Sequence, residues 1–125
     1  MSTSDQNAPV IDETVVTTRL QGPVLVVTVD NSPVNALSVH VRAGLVRAMA
    51  QADADAAVRA VLIVGAGKTF IAGADIREFG KTPLEPYLPD VCNRIEACSK
   101  PVVAAVHGAA LGGGMEIAMS AHYRI

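Results

Sequence analysis

The chain of 125 residues has no tryptophan, and only 3% of it is aromatic. A core built from interlocked rings is excluded, so any interior must be packed from Val, Ala, Leu and Ile. There are two cysteines, Cys92 and Cys98, too few for a disulfide framework and not spaced as a metal or redox pair. They read as reduced packing residues of an intracellular protein. Neither sign of charge is in excess. Ten Lys and Arg stand against 12 Asp and Glu, a formal net charge of −2, and no basic stripe forms. A nucleic-acid partner is therefore not expected. No apolar run approaches the roughly 18 residues of a membrane-spanning helix, so no membrane partner is expected either. Residues 1–9 lack the basic and apolar regions of a secretory signal. His40, His107 and His122 lie far apart with no ligand spacing, and no metal site is expected.

Small and aliphatic residues are abundant. Half of the chain is hydrophobic, which excludes a disordered tail and fits one domain or part of a larger one. Residues 1–12 read as a flexible leader, and 13–125 as the structured part. Two β-branched runs, 15–20 and 24–29, flank the turn Gln21-Gly22-Pro23 and predict a hairpin. Ser38 is placed to cap a helix over 39–53, with Val39, Ala43, Val46 and Ala50 on its apolar stripe, Leu45 and Met49 beside them, and Arg42, Arg47 and Gln51 elsewhere on the wheel. Residues 60–64 form a continuous apolar run, as in a strand buried on both faces. Residues 80–89 carry Pro83, Pro86 and Pro89 and predict an exposed loop beside the site, neither helix nor strand. Asp90 is then placed to cap a helix with Val91, Ile95 and Cys98 on one face, and Pro101 opens the next strand. The alternation of strands and helices after the first hairpin argues an α/β fold with parallel pairing.

Two stretches carry chemistry. The first is Phe70-Ile71-Ala72-Gly73-Ala74-Asp75-Ile76, where small residues lead into a short acidic segment that Asp75 can cap. The second is His107 to Glu116, in which Gly112-Gly113-Gly114 sits between an apolar strand and a helix. Glycines at such a turn leave bare N–H groups open to a ligand at the helix start. Loops after neighbouring parallel strands share one sheet edge, so an N–H from each can converge on a single oxygen. Donors of this kind stabilise charge developing on a carbonyl oxygen. Glu116, one turn into the helix, is placed to work on an atom beside that carbonyl or on water. The neighbouring run Gly65-Ala66-Gly67-Lys68-Thr69 resembles a nucleotide loop only in part. The glycine that the pattern requires five places before Gly67 is Leu62, so Lys68 reads as a strand-end turn residue.

These two stretches resemble the two hallmark loops of the enoyl-CoA hydratase/isomerase (crotonase) superfamily, and Asn35-Ala36-Leu37-Ser38 and Lys100-Pro101-Val102-Val103-Ala104 also fit its pattern, in that family's order, from about Val15 to Ile125. Phe70 to Phe79 and His122-Tyr123-Arg124-Ile125 are most similar to the N-terminal hydratase part of multifunctional fatty-acid oxidation proteins, which continue into an NAD-dependent 3-hydroxyacyl-CoA dehydrogenase. The resemblance implies an α/β, crotonase-like spiral of β-β-α units, of which this chain is the N-terminal portion. It implies that the N–H groups of Ala74 and Gly113 are oxyanion donors and that Glu116 is the first of two catalytic glutamates. The second is expected beyond residue 125. The segment around Ala72, with Gly73, Asp75, Ile76 and Gly112, matches the part that binds coenzyme A and substrate.

The activity implied is hydration of a trans-2-enoyl-CoA in fatty-acid β-oxidation. The alternatives are an enoyl-CoA double-bond isomerase, a hydratase module of a multifunctional dehydrogenase, and an inactive binding protein with the same fold. Glu116 counts against the isomerase, because isomerases of the superfamily often keep only the later acid. No cofactor is expected in this portion, coenzyme A being part of the substrate, and NAD only with a fused dehydrogenase domain. The partner is an acyl-CoA thioester. A trimer-type homo-oligomer is implied for a stand-alone protein and a fused dehydrogenase for a multifunctional one. The expected location is cytoplasmic, with a peroxisomal one left open.

Overall fold

The computed structural model of the chain describes residues 10–125. The leader expected at 1–12 lies for its first nine residues outside the described ones. Asp12 is held in place, its N–H donating to His40 Nδ1 at 3.0 Å and its carboxylate accepting from the Thr14 N–H at 2.9 Å.

The predicted hairpin forms from β1 (Val16–Gln21) and β2 (Val24–Val29), turning at Gly22, whose φ of 58° suits glycine. Helix α1 (Val39–Ala54) follows, capped by the Ser38 hydroxyl, which accepts the Val41 N–H at 3.3 Å. Next come β3 (Ala60–Gly65), a single 3-10 turn at Ile76–Glu78, α2 (Leu88–Glu96), β4 (Val102–Ala105), α3 (Gly113–Ser120) and the short β5 (Tyr123–Arg124). The five strands form one sheet in sequence order. β1 and β2 are antiparallel and every later pairing is parallel, as the crossover pattern predicts.

Three expectations are corrected. The buried face of α1 is Val39, Val41, Gly44, Leu45, Ala48, Met49 and Ala52, so Val39, Leu45 and Met49 are buried as expected, whereas Ala43 and Val46 are half-buried and Ala50 is exposed. Small apolar residues on both sides of this helix make its stripe ambiguous, and contact with the sheet decides it. Gly44 marks the closest approach, since a Cβ there would lie 2.5 Å from the Cβ of Val16. In β3 burial alternates, with Val61 and Ile63 fully buried and Leu62 and Val64 only half-buried. Finally, α2 begins at Leu88 behind the capping position of Tyr87, so Pro89 is helical and Asp90 lies inside the first turn. Proline is tolerated there because the first-turn N–H groups have no intrahelical acceptor. Val91 and Ile95 are buried as expected, and Cys98 is buried just past the helix end.

A narrow second layer crosses the carboxyl end of the sheet. Parallel bridges join Leu37 to Ala74 and Ile71 to Ala110, so the three connectors after β2, β3 and β4 lie side by side. This layer places the site.

Candidate functional site

The connector after β3 is fixed by its backbone. Ala66 donates to Val29 O at 2.8 Å, Phe70 to His107 O at 3.0 Å and Ala72 to Asn35 O at 2.9 Å, while the Gly73 carbonyl accepts from Leu37 at 3.0 Å. Asn35, 4% exposed with a φ of 55°, holds the same loop through its side chain. Its Nδ2 donates to the carbonyls of Ala66, Thr69 and Phe70 at 3.0, 2.9 and 3.2 Å, and its Oδ1 accepts from the Asn31 N–H at 2.7 Å. An asparagine tolerates this left-handed conformation and brings both donors and an acceptor to a buried bend. His107 Nε2 adds a bond to Gly67 O at 2.8 Å, and Lys68 is an exposed residue of that turn.

The glycine turn packs directly on this loop. A Cβ on Gly114 would overlap the Ile71 carbonyl oxygen, and one on Gly112 would lie 3.8 Å from the Gly73 Cα. Gly112 has a φ of 50° and takes the capping position of α3, its carbonyl accepting from the Glu116 N–H at 3.1 Å. Bare backbone on both sides is what allows the two loops to touch.

The result is a cavity of about 450 Å³ whose walls include Ala74, Gly113 and Glu116 together. Among the described residues, neither the Ala74 N–H nor the Gly113 N–H has a hydrogen-bond acceptor. Gly113 is the first residue of α3, where the helix dipole adds to its donor strength. Two unpaired amides on one cavity make a site for an anionic or strongly polarised oxygen.

Three carboxylates line the cavity: Asp75, Glu78 and Glu116. Asp75 is buried and caps the 3-10 turn, accepting from the Arg77 N–H at 3.0 Å and pairing with the Arg77 guanidinium at 2.6 Å. That guanidinium holds the Asp75 carboxyl below its usual range. Glu78 pairs with Arg42 at 3.2 Å and accepts the Val39 N–H at 2.8 Å, capping α1 rather than its own turn. Glu116 alone has no cation partner among the described residues.

The other residues expected to bind coenzyme A and substrate do not line the cavity: Gly73 and Gly112 form the contact between the loops, the Ala72 N–H is spent on the bond to Asn35, and Ile76 is 76% exposed. Two side chains contribute in ways that the sequence does not announce. Asn35 belongs to a stretch that fits the family pattern, but with no role for its side chain, and Arg42 reads as part of a polar helix face. Arg42 instead lines the cavity, with its side chain 12% exposed. The cysteines take no part, since burial pushes both thiols up and keeps them protonated. Among the described residues, no group of three or more His, Cys, Asp or Glu is placed to hold a metal ion, and no helix is long and apolar enough to cross a membrane.

Residues 19–125 match the family model described as enoyl-CoA hydratase/isomerase. The chain is 49% identical over 102 residues to the peroxisomal bifunctional enzyme of Danio rerio, covering 82% of this chain and 14% of that protein. It is 44% identical over 109 residues to the Bacillus subtilis protein named "Probable enoyl-CoA hydratase", covering 82% of this chain and 42% of that one. The fold overlays the crystal structure of an enoyl-CoA hydratase from Bacillus anthracis with a TM-score of 0.80 and 27% identity, over 89% of this chain and 46% of that chain. The chain thus spans less than half the length of each of these relatives.

Proposed function

The chain belongs to the enoyl-CoA hydratase/isomerase family, and on that premise we propose that it supplies the thioester-activating half of an enoyl-CoA hydratase site. The substrate is a trans-2-enoyl-CoA thioester. Its carbonyl oxygen accepts from the Ala74 and Gly113 N–H groups, which draws electron density from the conjugated double bond towards that oxygen. Water then adds at the β-carbon, and the negative charge that develops on the oxygen is held by the two amides. Each such donor lowers the barrier by roughly 3–4 kcal/mol. Glu116 holds the water and takes its proton as the new C–O bond forms. The observation that carries this reading is the pairing state of the three cavity carboxylates. Asp75 and Glu78 are engaged by arginines, which leaves Glu116 as the one cavity carboxylate without a cation partner among the described residues.

Completion of the reaction puts a proton on the α-carbon, the task that the family resemblance gives to a second glutamate beyond residue 125. By the family resemblance, the coenzyme A part of the substrate runs along Ala72, Gly73 and the exposed turn at Ile76. The reaction needs no resident cofactor, and NAD enters only where a dehydrogenase is part of the same protein. The likeness to the peroxisomal bifunctional enzyme supports such a module and a peroxisomal setting, beside the cytoplasmic one that the sequence suggests.

The test is Glu116→Gln in the full-length protein, with loss of the enoyl thioester absorbance as the readout. The rate should fall by about 10²- to 10⁴-fold, while a non-reacting acyl-CoA still binds. An unchanged rate would remove Glu116 from the mechanism.

A further inference from the structure

Between the turn at Ile76–Glu78 and helix α2, the proline segment forms one wall of the cavity through Pro83, Leu84 and Tyr87. Among the described residues, 82–86 make no backbone–backbone hydrogen bond. Prolines cannot donate one, and so the wall depends on donors from elsewhere. Arg42 supplies them. Its Nε donates to Pro86 O at 2.7 Å, its Nη2 to Leu84 O at 3.1 Å, and its Nη1 to Leu37 O at 3.1 Å and to Glu78 Oε1 at 3.2 Å. Glu78 in turn accepts the Val39 N–H at the start of α1. One ion pair therefore joins the helix start, the turn after Ala74 and the proline segment.

We infer that Arg42 and Glu78 are specificity-determining residues that set which acyl chains the cavity takes, an inference that rests on the hydratase reading above. Neither touches the reacting atoms. They act through Leu84 and Tyr87, whose position follows the guanidinium. Carbons near the thioester lie against Ala74, Gly113 and Glu116, which are held mainly by backbone bonds and which Arg42 reaches only through its one bond to Leu37 O. Carbons further along the chain meet the apolar wall that Arg42 holds. A longer acyl chain therefore senses the ion pair and a short one senses it less. The planar fork of arginine is needed because its donors point to separate carbonyls, a geometry that a lysine ammonium cannot reproduce.

The experiment measures kcat and KM of the full-length protein for trans-2-enoyl-CoA substrates of four to twelve carbons, in wild type, Arg42→Lys and Glu78→Gln. The glutamine retains an oxygen for the Val39 N–H and removes only the charge, which preserves folding should Arg42→Lys unfold. The expected result is a change of about tenfold or more in the ratio of kcat/KM for ten carbons to that for four, carried mainly by KM. A parallel fall at every chain length would reduce the pair to a stability role and overturn the inference. So would an unchanged ratio in both variants, with the hydratase reading left standing. Absence of wild-type turnover at every length would overturn both.

Discussion

Two neighbouring segments line the same cavity and are held in opposite ways. The loop from Ala66 to Ala74 is anchored by backbone bonds to three other parts of the chain and by all the donors of a buried asparagine. The segment at 82–86 is anchored by one guanidinium on a helix side chain. The difference matches what each segment would do. An amide that must meet a developing charge gains from a frame that does not move, because preorganised dipoles cost no reorganisation during the reaction. A wall that selects among acyl chains can be adjusted by substituting side chains without disturbing that frame.

The largest expected effect comes from forcing the two rigid loops apart. Gly114→Ala places a Cβ on the Ile71 carbonyl, and backbone must shift to admit it. A destabilisation of about 3 kcal/mol is expected from such overpacking, read as a lower denaturant midpoint, together with loss of the proposed hydration activity. A variant as stable and active as wild type would mean that the close contact of the loops is not what holds Ala74.

Asn35→Ala comes next. It strips the donors from the carbonyls of Ala66, Thr69 and Phe70 and puts alanine at a positive φ. A loss of about 2 kcal/mol is expected, and amide exchange should quicken across 66–74 more than across α2. Asn35→Gly relieves the backbone conformation without restoring the donors, so it should recover only part of the loss. Full recovery by glycine would assign the effect to φ and not to the hydrogen bonds.

Gly113→Ala is the milder counterpart of the change at 114. Its Cβ would meet only the side-chain ends of Leu37 and Leu88, at 2.7 and 3.2 Å, which can rotate away. Stability should fall by less than about 1 kcal/mol. Activity should fall further than stability suggests, because the displaced leucines narrow the cavity beside the donor. If 113 and 114 proved equally costly to stability, the contrast between backbone and side-chain contact would fail.

The readable and the hidden parts of this molecule divide on the same line. The hairpin, the capped helix α1, the strands and both glycine loops could be read from local signals: β-branched runs, Gly22, Ser38, and three glycines before Glu116. Asn35 and Arg42 could not. Their partners lie 35 and 44 residues away, and nothing in the residue types around them announces the bonds. The face of α1 is legible only in part for a related reason, with Val39, Leu45 and Met49 buried as the pattern predicts. Ala43, Val46 and Ala50 are as apolar locally as the residues that are buried, and only packing against β1 and β2 separates them. The start of α2 at Leu88 was hidden by its own Pro89, which signals a break in the interior of a helix and is harmless in the first turn.

The smallest effect concerns the far end of the looser region. Helix α2 continues the proline segment, and beyond its last turn the chain is tied to α1 by Asp53. The carboxylate accepts from the Ser99 hydroxyl and N–H at 2.6 and 2.8 Å and pairs with Arg94 at 2.6 Å. These partners, the Ser99 hydroxyl first, hold the Asp53 carboxyl well below the usual carboxylate range. In the unfolded chain the group titrates near its ordinary value of roughly 3.9. A depressed folded pKa contributes stability that is fully present above that value and is lost as pH falls below it. Between pH 7 and pH 5, wild type should therefore exceed Asp53→Asn in stability by a constant margin. Below about pH 4 the margin should shrink, because wild type loses a contribution that the variant never had. Asp53 is exposed to solvent, so salt should also reduce the margin. Hydrogen exchange during the same acid titration should loosen α2 before the loop at 66–74. If instead that loop opened first, the backbone frame would be the weaker of the two regions and the contrast between them would be reversed.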